Sequence, residues 1–137
     1  EIGWREWAAF PDFEIDRIKA KIDTGAKTCA LHAYAVREFV RNGAPYAEFY
    51  VHPIQRKRTP AIRCRALIVD KRRIKSSNGL SQERLIIQTT LKLGQRSWPI
   101  EISLTSRDEM GFRFLIGRDA LRKRVLVHPG KSFLLGK

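Results

Sequence analysis

Apolar and polar residues alternate along much of this chain with a period of two, the repeat of a half-buried β-strand rather than a helix. The clearest case is Ile18-Lys19-Ala20-Lys21-Ile22, where apolar positions alternate with lysines up to Asp23. Tyr34 to Val40 and Ala47 to His52 flank Asn42-Gly43. Both turn residues tolerate the positive φ of a tight turn, so this stretch predicts a hairpin. Cys64 to Val69 reads as another strand, and the turn formers Ser76-Ser77-Asn78-Gly79 break the chain after it. Alternation resumes from Leu85 to Leu93, and Ser97 to Leu104 completes a second hairpin about Gly94-Gln95. The last third changes character. Phe112 to Ile116 reads as a buried strand stopped by Gly117, Arg118 to Arg122 as a single short helix, and Val125 to His128 and Ser132 to Leu135 as closing strands. There is no internal repeat, low-complexity stretch or long linker. The pattern therefore predicts one mainly-β, barrel-like domain over residues 1–137 with one short C-terminal helix.

Length agrees with a single domain, since 137 residues is the common size of one and would be cramped for two. Charge adds a constraint on partners. The 27 Lys and Arg against 14 Asp and Glu leave +13, which favours something anionic: nucleic acid, a ribosome, an acidic peptide or an anionic membrane surface. The two cysteines, Cys29 and Cys64, fit no paired metal-ligand spacing and no disulfide framework, so a reducing, cytoplasmic location is expected. No apolar run approaches the roughly 20 residues that span a bilayer, and Glu1-Ile2-Gly3-Trp4 has no signal-peptide pattern, so no membrane association is expected. The chain starts without an initiator Met, which leaves upstream residues, a signal among them, open.

The segment that carries chemistry is Asp23-Thr24-Gly25-Ala26. A carboxylate at the end of a buried strand can point into a cleft. Thr24 can brace the turn by a local hydrogen bond, and Gly25 lets backbone or substrate come close. Asp and Gly are also ordinary turn residues, and Asp-Thr-Gly occurs by chance in a chain this long at roughly the few-per-cent level. A second element at the right distance is what raises it. Leu115-Ile116-Gly117-Arg118-Asp119-Ala120-Leu121 resembles the segment of two hydrophobic residues, Gly and Arg that opens the C-terminal helix of retroviral proteases. Ser76 to Gly94 lies where that family carries its flap hairpin, and Ser132 to Leu135 where it carries its interface strand.

More closely, Gly3-Trp4-Arg5-Glu6-Trp7, Lys19 to Thr28, Leu31-His32-Ala33, Ser76-Ser77-Asn78-Gly79 and Met110-Gly111-Phe112-Arg113 resemble a bacterial retropepsin-like aspartic protease family. Its members are often labelled ATP-dependent zinc proteases and are associated with glutamate ligases that modify a ribosomal protein. The residues themselves support neither zinc nor ATP, because no His-Glu-x-x-His helix and no phosphate-cradling glycine loop is present. The chain is therefore expected to need no cofactor and no metal. In the viral enzymes an Asp two places after the motif glycine pairs with the helix arginine. Lys27 stands there in this chain, so a reversed pair of Lys27 with Asp119 is expected, and the partner of Arg118 is left open.

The resemblance implies a closed retropepsin-like barrel and an aspartic endopeptidase that works as a homodimer. One Asp-Thr-Gly per chain cannot supply the two carboxylates that aspartic proteolysis needs, whereas a two-fold axis brings Asp23 from each chain together. The candidate catalytic residues are then Asp23, Thr24 and Gly25, with Ala26, Lys27, Ser76, Ser77, Asn78, Gly79 and Gly117 against a peptide substrate. The +13 charge adds an acidic or ribosome-associated target. Two other readings stay open. One is a silent module of the same fold that regulates a glutamate ligase or a ribosome-associated partner. The other is a basic RNA-binding barrel in which Trp4, Trp7, Trp98, Phe49 and Tyr50 stack on bases and Gln55-Arg56-Lys57-Arg58 or Lys71-Arg72-Arg73 meet phosphates. His32, in Cys29-x-x-His32, is read first as a core histidine bracing the catalytic loop and only second as half of a metal site.

Overall fold

Ten strands form one sheet that curls until it meets itself. The computed structural model describes residues 2–53, 61–75, 79–105, 112–122 and 127–136. The strands are β1 (Ile2–Phe10), β2 (Ile15–Asp23), β3 (Cys29–His32), β4 (Tyr34–Arg41), β5 (Ala44–Val51), β6 (Ile62–Lys75), β7 (Ser81–Leu93), β8 (Arg96–Thr105), β9 (Phe114–Gly117) and β10 (Val127–Ser132). The helix α1 is Arg118–Leu121, and a 3-10 turn spans Pro11–Phe13. Neighbours run β10-β1-β2-β9-β3-β8-β7-β6-β5-β4, and β1 also pairs with β7 through Ala8 with Leu93 and Ala9 with Lys92. That second pairing closes β1, β2, β9, β3, β8 and β7 into a six-strand barrel. Closure leaves those six strands without free edges, which is how a small all-β domain satisfies its backbone.

The mainly-β barrel with one short helix is the architecture expected from the alternation. Ile18, Ala20 and Ile22 point inward, and so do Leu31, Ile87, Leu91, Ile102, Phe114 and Ile116, all buried. Phe10 and Phe114 meet edge to face at 4.8 Å in the centre of this core. The hairpin at Asn42-Gly43 forms as expected, with φ of 52° and 78° at the two turn residues and β4 pairing with β5 out to Arg41 and Ala44. Gly94 turns the β7–β8 hairpin.

Three differences have physical causes. First, Ile2–Phe10 is a strand that the alternation did not reveal, because one of its inward positions is Glu6 rather than an apolar residue. Second, Phe13 in the 3-10 turn packs against Phe49 at 5.6 Å, and the turn is fastened to β7 because the Asp12 carboxylate accepts from the Thr89 hydroxyl at 2.9 Å and the Thr90 N–H at 3.1 Å. Third, Ser132–Leu135 is not a closing strand. A single strand β10 runs parallel to β1 and stops at Ser132, and the chain then turns through Phe133, whose φ is 52°. Val125, placed in a separate strand, lies outside the described residues.

Glu6 also holds the turn that follows β10. It is fully buried, and its carboxylate accepts the Gly3 N–H at 2.7 Å, the Leu134 N–H at 2.8 Å and the Leu135 N–H at 3.2 Å. Those N–H groups would otherwise be buried or half-buried donors without partners, so one side chain ties the C-terminal turn to β1. Glu6→Ala removes the acceptor and strands its donors. The expected cost is about 3 kcal/mol, because hydrogen bonds to a charged group contribute about 1.5–3 kcal/mol and stranded donors add to that. A urea midpoint within error of the wild type, at unchanged slope, would show that the turn docks without it.

Candidate active site

Strand β2 carries Asp23 to its last position, and β9 runs alongside in parallel, with Ala20 opposite Phe114, Ile22 opposite Ile116 and Asp23 opposite Gly117. The inward residues of both strands anchor them in the core, so the polar residues that follow emerge at one end of the barrel. Asp23 is half-buried there, and Thr24 and Gly25 are exposed.

The loop after Asp23 is rigidly specified. Asp23 Oδ1 accepts the Gly25 N–H at 3.1 Å, and the Asp23 carbonyl accepts the Ala26 N–H at 3.1 Å. A side chain at position 25 would begin 3.3 Å from the carboxylate oxygen, so glycine keeps that approach open. The bracing expected of Thr24 thus comes from Asp23 itself. Asp23 Oδ2 has no partner among the described residues.

The other side of the loop is held by α1. The first N–H groups of a helix have no partner inside it; here Arg118 N–H donates to the Ala26 carbonyl at 2.8 Å and Asp119 N–H to the Lys27 carbonyl at 3.1 Å. The Arg118 guanidinium adds a bond from Nη1 to the Gly25 carbonyl at 3.2 Å. This is the partner that the sequence left open. Gly117 makes the contact possible: a Cβ there would lie 2.7 Å from the Thr28 carbonyl carbon and 2.9 Å from that of Lys27, closer than any side chain is tolerated. The expected Lys27–Asp119 ion pair is not formed, because Asp119 turns its carboxylate to Arg122, one helical turn on, at 3.4 Å. Lys27 stays exposed.

Beside the loop lies a cavity of about 660 Å³ lined by Lys27 and Thr28, by Asp119 of α1 and Arg122 just after it, and by Trp98 and Arg72 among others. Trp98 is fixed by a 2.8 Å bond from Nε1 to the Ala120 carbonyl. Arg72 bonds Asp70 at 2.7 Å and Glu101 at 2.8 Å. The first of these bonds holds the Asp70 carboxyl below its ordinary range. Asp23 is not among the residues that line this cavity. Of the residues assigned to the flap, Gly79 is exposed with φ 85° beyond the paired ends of β6 and β7, while Ser76, Ser77 and Asn78 lie outside the described residues.

Cys29 and His32 sit three apart on β3, so their side chains leave opposite faces of the strand and cannot share a metal ion. Among the described residues no three His, Cys, Asp or Glu side chains gather as metal ligands would. Burial pushes the Cys29 thiol up to about 11 and the Cys64 thiol up to about 12, which leaves both poor nucleophiles near neutral pH. Phe49 and Trp98 are core residues rather than exposed stacking platforms. Trp4 and Trp7 are half-buried with Arg5 at 4.6 Å and Arg17 at 4.1 Å over their rings. The Arg56–Arg58 cluster lies outside the described residues.

A closed six-strand barrel with Asp-Thr-Gly at a strand end, seated on the Gly-Arg start of a short helix, is a retropepsin-like arrangement. Over residues 1–137 the chain matches the RimB-like family, described as retropepsin-like aspartic endopeptidase RimB, and it belongs to that family. It is 46% identical over 136 residues to a Shewanella pealeana protein named "Probable alpha-L-glutamate ligase", a match covering 99% of this chain and 30% of that protein. A protein of the same name from Desulfotalea psychrophila is 43% identical over 136 residues, 99% of this chain and 29% of that one. The chain thus spans less than a third of the curated relatives it matches. A crystal structure of a Legionella pneumophila protein of unknown function (DUF785) superposes with a TM-score of 0.83 at 30% identity, covering 98% of this chain and 96% of that one.

Two outcomes test this geometry. Gly117→Ala forces the backbone of residues 27 and 28 away from β9 and should cost at least about 2 kcal/mol; a variant as stable as the wild type would mean the loop can retreat freely. The thiols set an alkaline limit. Above the ordinary thiol value of 9.0 the unfolded chain loses protons that the folded chain keeps, so stability falls as pH rises from about 9 to between about 11 and 12. The Cys29→Ala, Cys64→Ala double variant should show a shallower decline in urea titrations across that window, and an unchanged slope would contradict burial of the two thiols.

Proposed function

We propose that the protein is an aspartic endopeptidase that acts as a homodimer on an acidic peptide, with the two Asp23 carboxylates sharing one proton across a two-fold axis. The observation that carries this reading is the braced loop at the barrel's end. Asp23 Oδ1 is held by the Gly25 N–H while Oδ2 has no partner among the described residues, the state expected of a carboxylate whose counterpart comes from a second chain. In such a dyad one carboxylate takes a proton from water and the other, protonated, polarises the scissile carbonyl. A single copy per chain then makes one site per dimer.

Membership of the retropepsin-like endopeptidase family supports the reaction class. The acidic substrate is supported by the +13 charge and by relatives named as glutamate ligases, whose products carry added carboxylates. A cytoplasmic setting and a glutamate ligase or ribosome-associated partner fit the same reading. Ala26, Lys27 and Gly117 are assigned to the substrate cleft, and Ser76, Ser77, Asn78 and Gly79 to the flap. No cofactor or metal enters the reaction, and RNA contact through the basic surface is a separate, weaker reading.

Asp23→Asn keeps the shape of the side chain and removes the base. Turnover of a glutamate-rich peptide should drop by about 10⁴-fold or more, while stability changes by no more than about 0.5 kcal/mol. A mixed dimer with one Asp and one Asn should be equally inactive, and the rate should follow a bell-shaped pH profile set by the pair. Raising ionic strength to the physiological range should lower kcat/KM severalfold, since the Debye length shrinks to about 8 Å. Full activity from a monomer, or from Asp23→Asn, would leave a non-catalytic member of the fold as the better description.

A further inference from the structure

Lys27 stands four residues after Asp23, exposed, on a loop whose backbone is pinned to α1. No carboxylate among the described residues answers its charge. The one carboxylate that its backbone neighbours, that of Asp119, goes instead to Arg122. The other cations of the adjoining cavity are already satisfied, Arg72 by Asp70 and Glu101 and Arg122 by Asp119. The cavity is lined by three cations, Lys27, Arg72 and Arg122; the carboxylates of Asp70, Glu101 and Asp119 all go to the two arginines, so among the described residues Lys27 is the cation of this lining with no carboxylate beside it. Trp98 and Ile100 also line the cavity, both buried and the first hydrogen-bonded to α1.

We propose that this cavity is a specificity subsite that takes a carboxylate side chain of the peptide, with Lys27 reading its charge. The proposal rests on the endopeptidase reading, because the site gains its meaning from a peptide laid across Asp23. The reach is right. Four residues of chain span at most about 14 Å, and the turn at Asp23–Ala26 shortens that. An extended peptide advances about 3.3 Å per residue with alternate side chains on one face. The recognised side chain therefore lies about two to four residues from the cleaved bond. At about 660 Å³ the cavity has the volume of a small-ligand site and is ample for one such side chain. An ammonium meets a carboxylate with a charge-assisted bond, whereas a glutamine offers it only a neutral dipole.

The test uses the full chain and measures binding and turnover separately. Labelled glutamate-rich peptides carrying a single Glu→Gln exchange at successive positions are titrated against the Asp23→Asn protein. One position should weaken binding about tenfold. Lys27→Met in the same background should erase that difference, and Lys27→Glu should reverse the preference towards a peptide with Lys at that position. Arg41→Met removes an equal charge at the exposed end of β4 and should leave the difference intact. If Arg41→Met weakens the discrimination as much as Lys27→Met, general attraction to a basic protein accounts for it and the subsite is overturned. Indifference of every position to Gln overturns it too, even when the protein with Asp23 intact cleaves the peptides. Discrimination without any cleavage by that protein keeps Lys27 as a carboxylate reader and removes the endopeptidase reading instead.

Discussion

The site depends on one close approach, that of Gly117 to the backbone of Lys27 and Thr28. A hydrogen in place of a side chain lets β9 run in parallel register with β2 to its last residue, so that Gly117 lies opposite Asp23. The first N–H groups of α1 then find the carbonyls of Ala26 and Lys27. The helix is only four residues long and would be negligible alone. Its use is to present backbone donors and the Arg118 fork to a loop that has few contacts of its own. The carboxylate is thereby held on the rigid end of two core strands, where a reacting group has to be for its geometry to persist.

The remainder of the barrel supplies the stiffness behind that contact. The β1–β7 pairing removes the last free edges of the six barrel strands, and the buried Glu6 carboxylate fastens the chain's final turn onto β1. Outside the barrel, acidic residues are consumed by basic ones. Glu48 accepts from Arg65 at 3.0 Å and Arg37 at 3.1 Å, and the Arg65 bond above all keeps its carboxyl below the ordinary range. With 14 acidic side chains against 27 basic ones such pairing runs out early. The surplus charge is then a long-range field, and individual cations such as Lys27 become available to a ligand.

Much of this was legible in the sequence, for reasons that are local. Strands with one apolar face announce themselves by period two, as at Ile18–Ile22, and Asn42-Gly43 specifies its hairpin through backbone angles alone. The loop and the helix start were visible because Asp23-Thr24-Gly25 and Leu115 to Leu121 resemble the corresponding segments of retroviral proteases. What stayed hidden was non-local. Glu6 looks like a surface residue until the C-terminal turn brings three N–H groups to it, and that same residue masked the alternation of β1. The viral-type ion pair could be ruled out from Lys27, but its replacement could not be derived, because the short helix lets Asp119 reach Arg122 and frees Arg118 for a carbonyl.

In the relatives named as glutamate ligases the matched region is 30% of the whole or less, so the barrel is a module that can serve within a longer chain. Whether alone or so joined, the central claim is that two chains build one site. The most direct measurement is the stoichiometry of a tight transition-state analogue, a glutamate-rich peptide whose scissile bond is replaced by a hydroxyethylene group, titrated calorimetrically into the protein. A shared Asp23 pair predicts one inhibitor for every two chains. Saturation at one inhibitor per chain would contradict it.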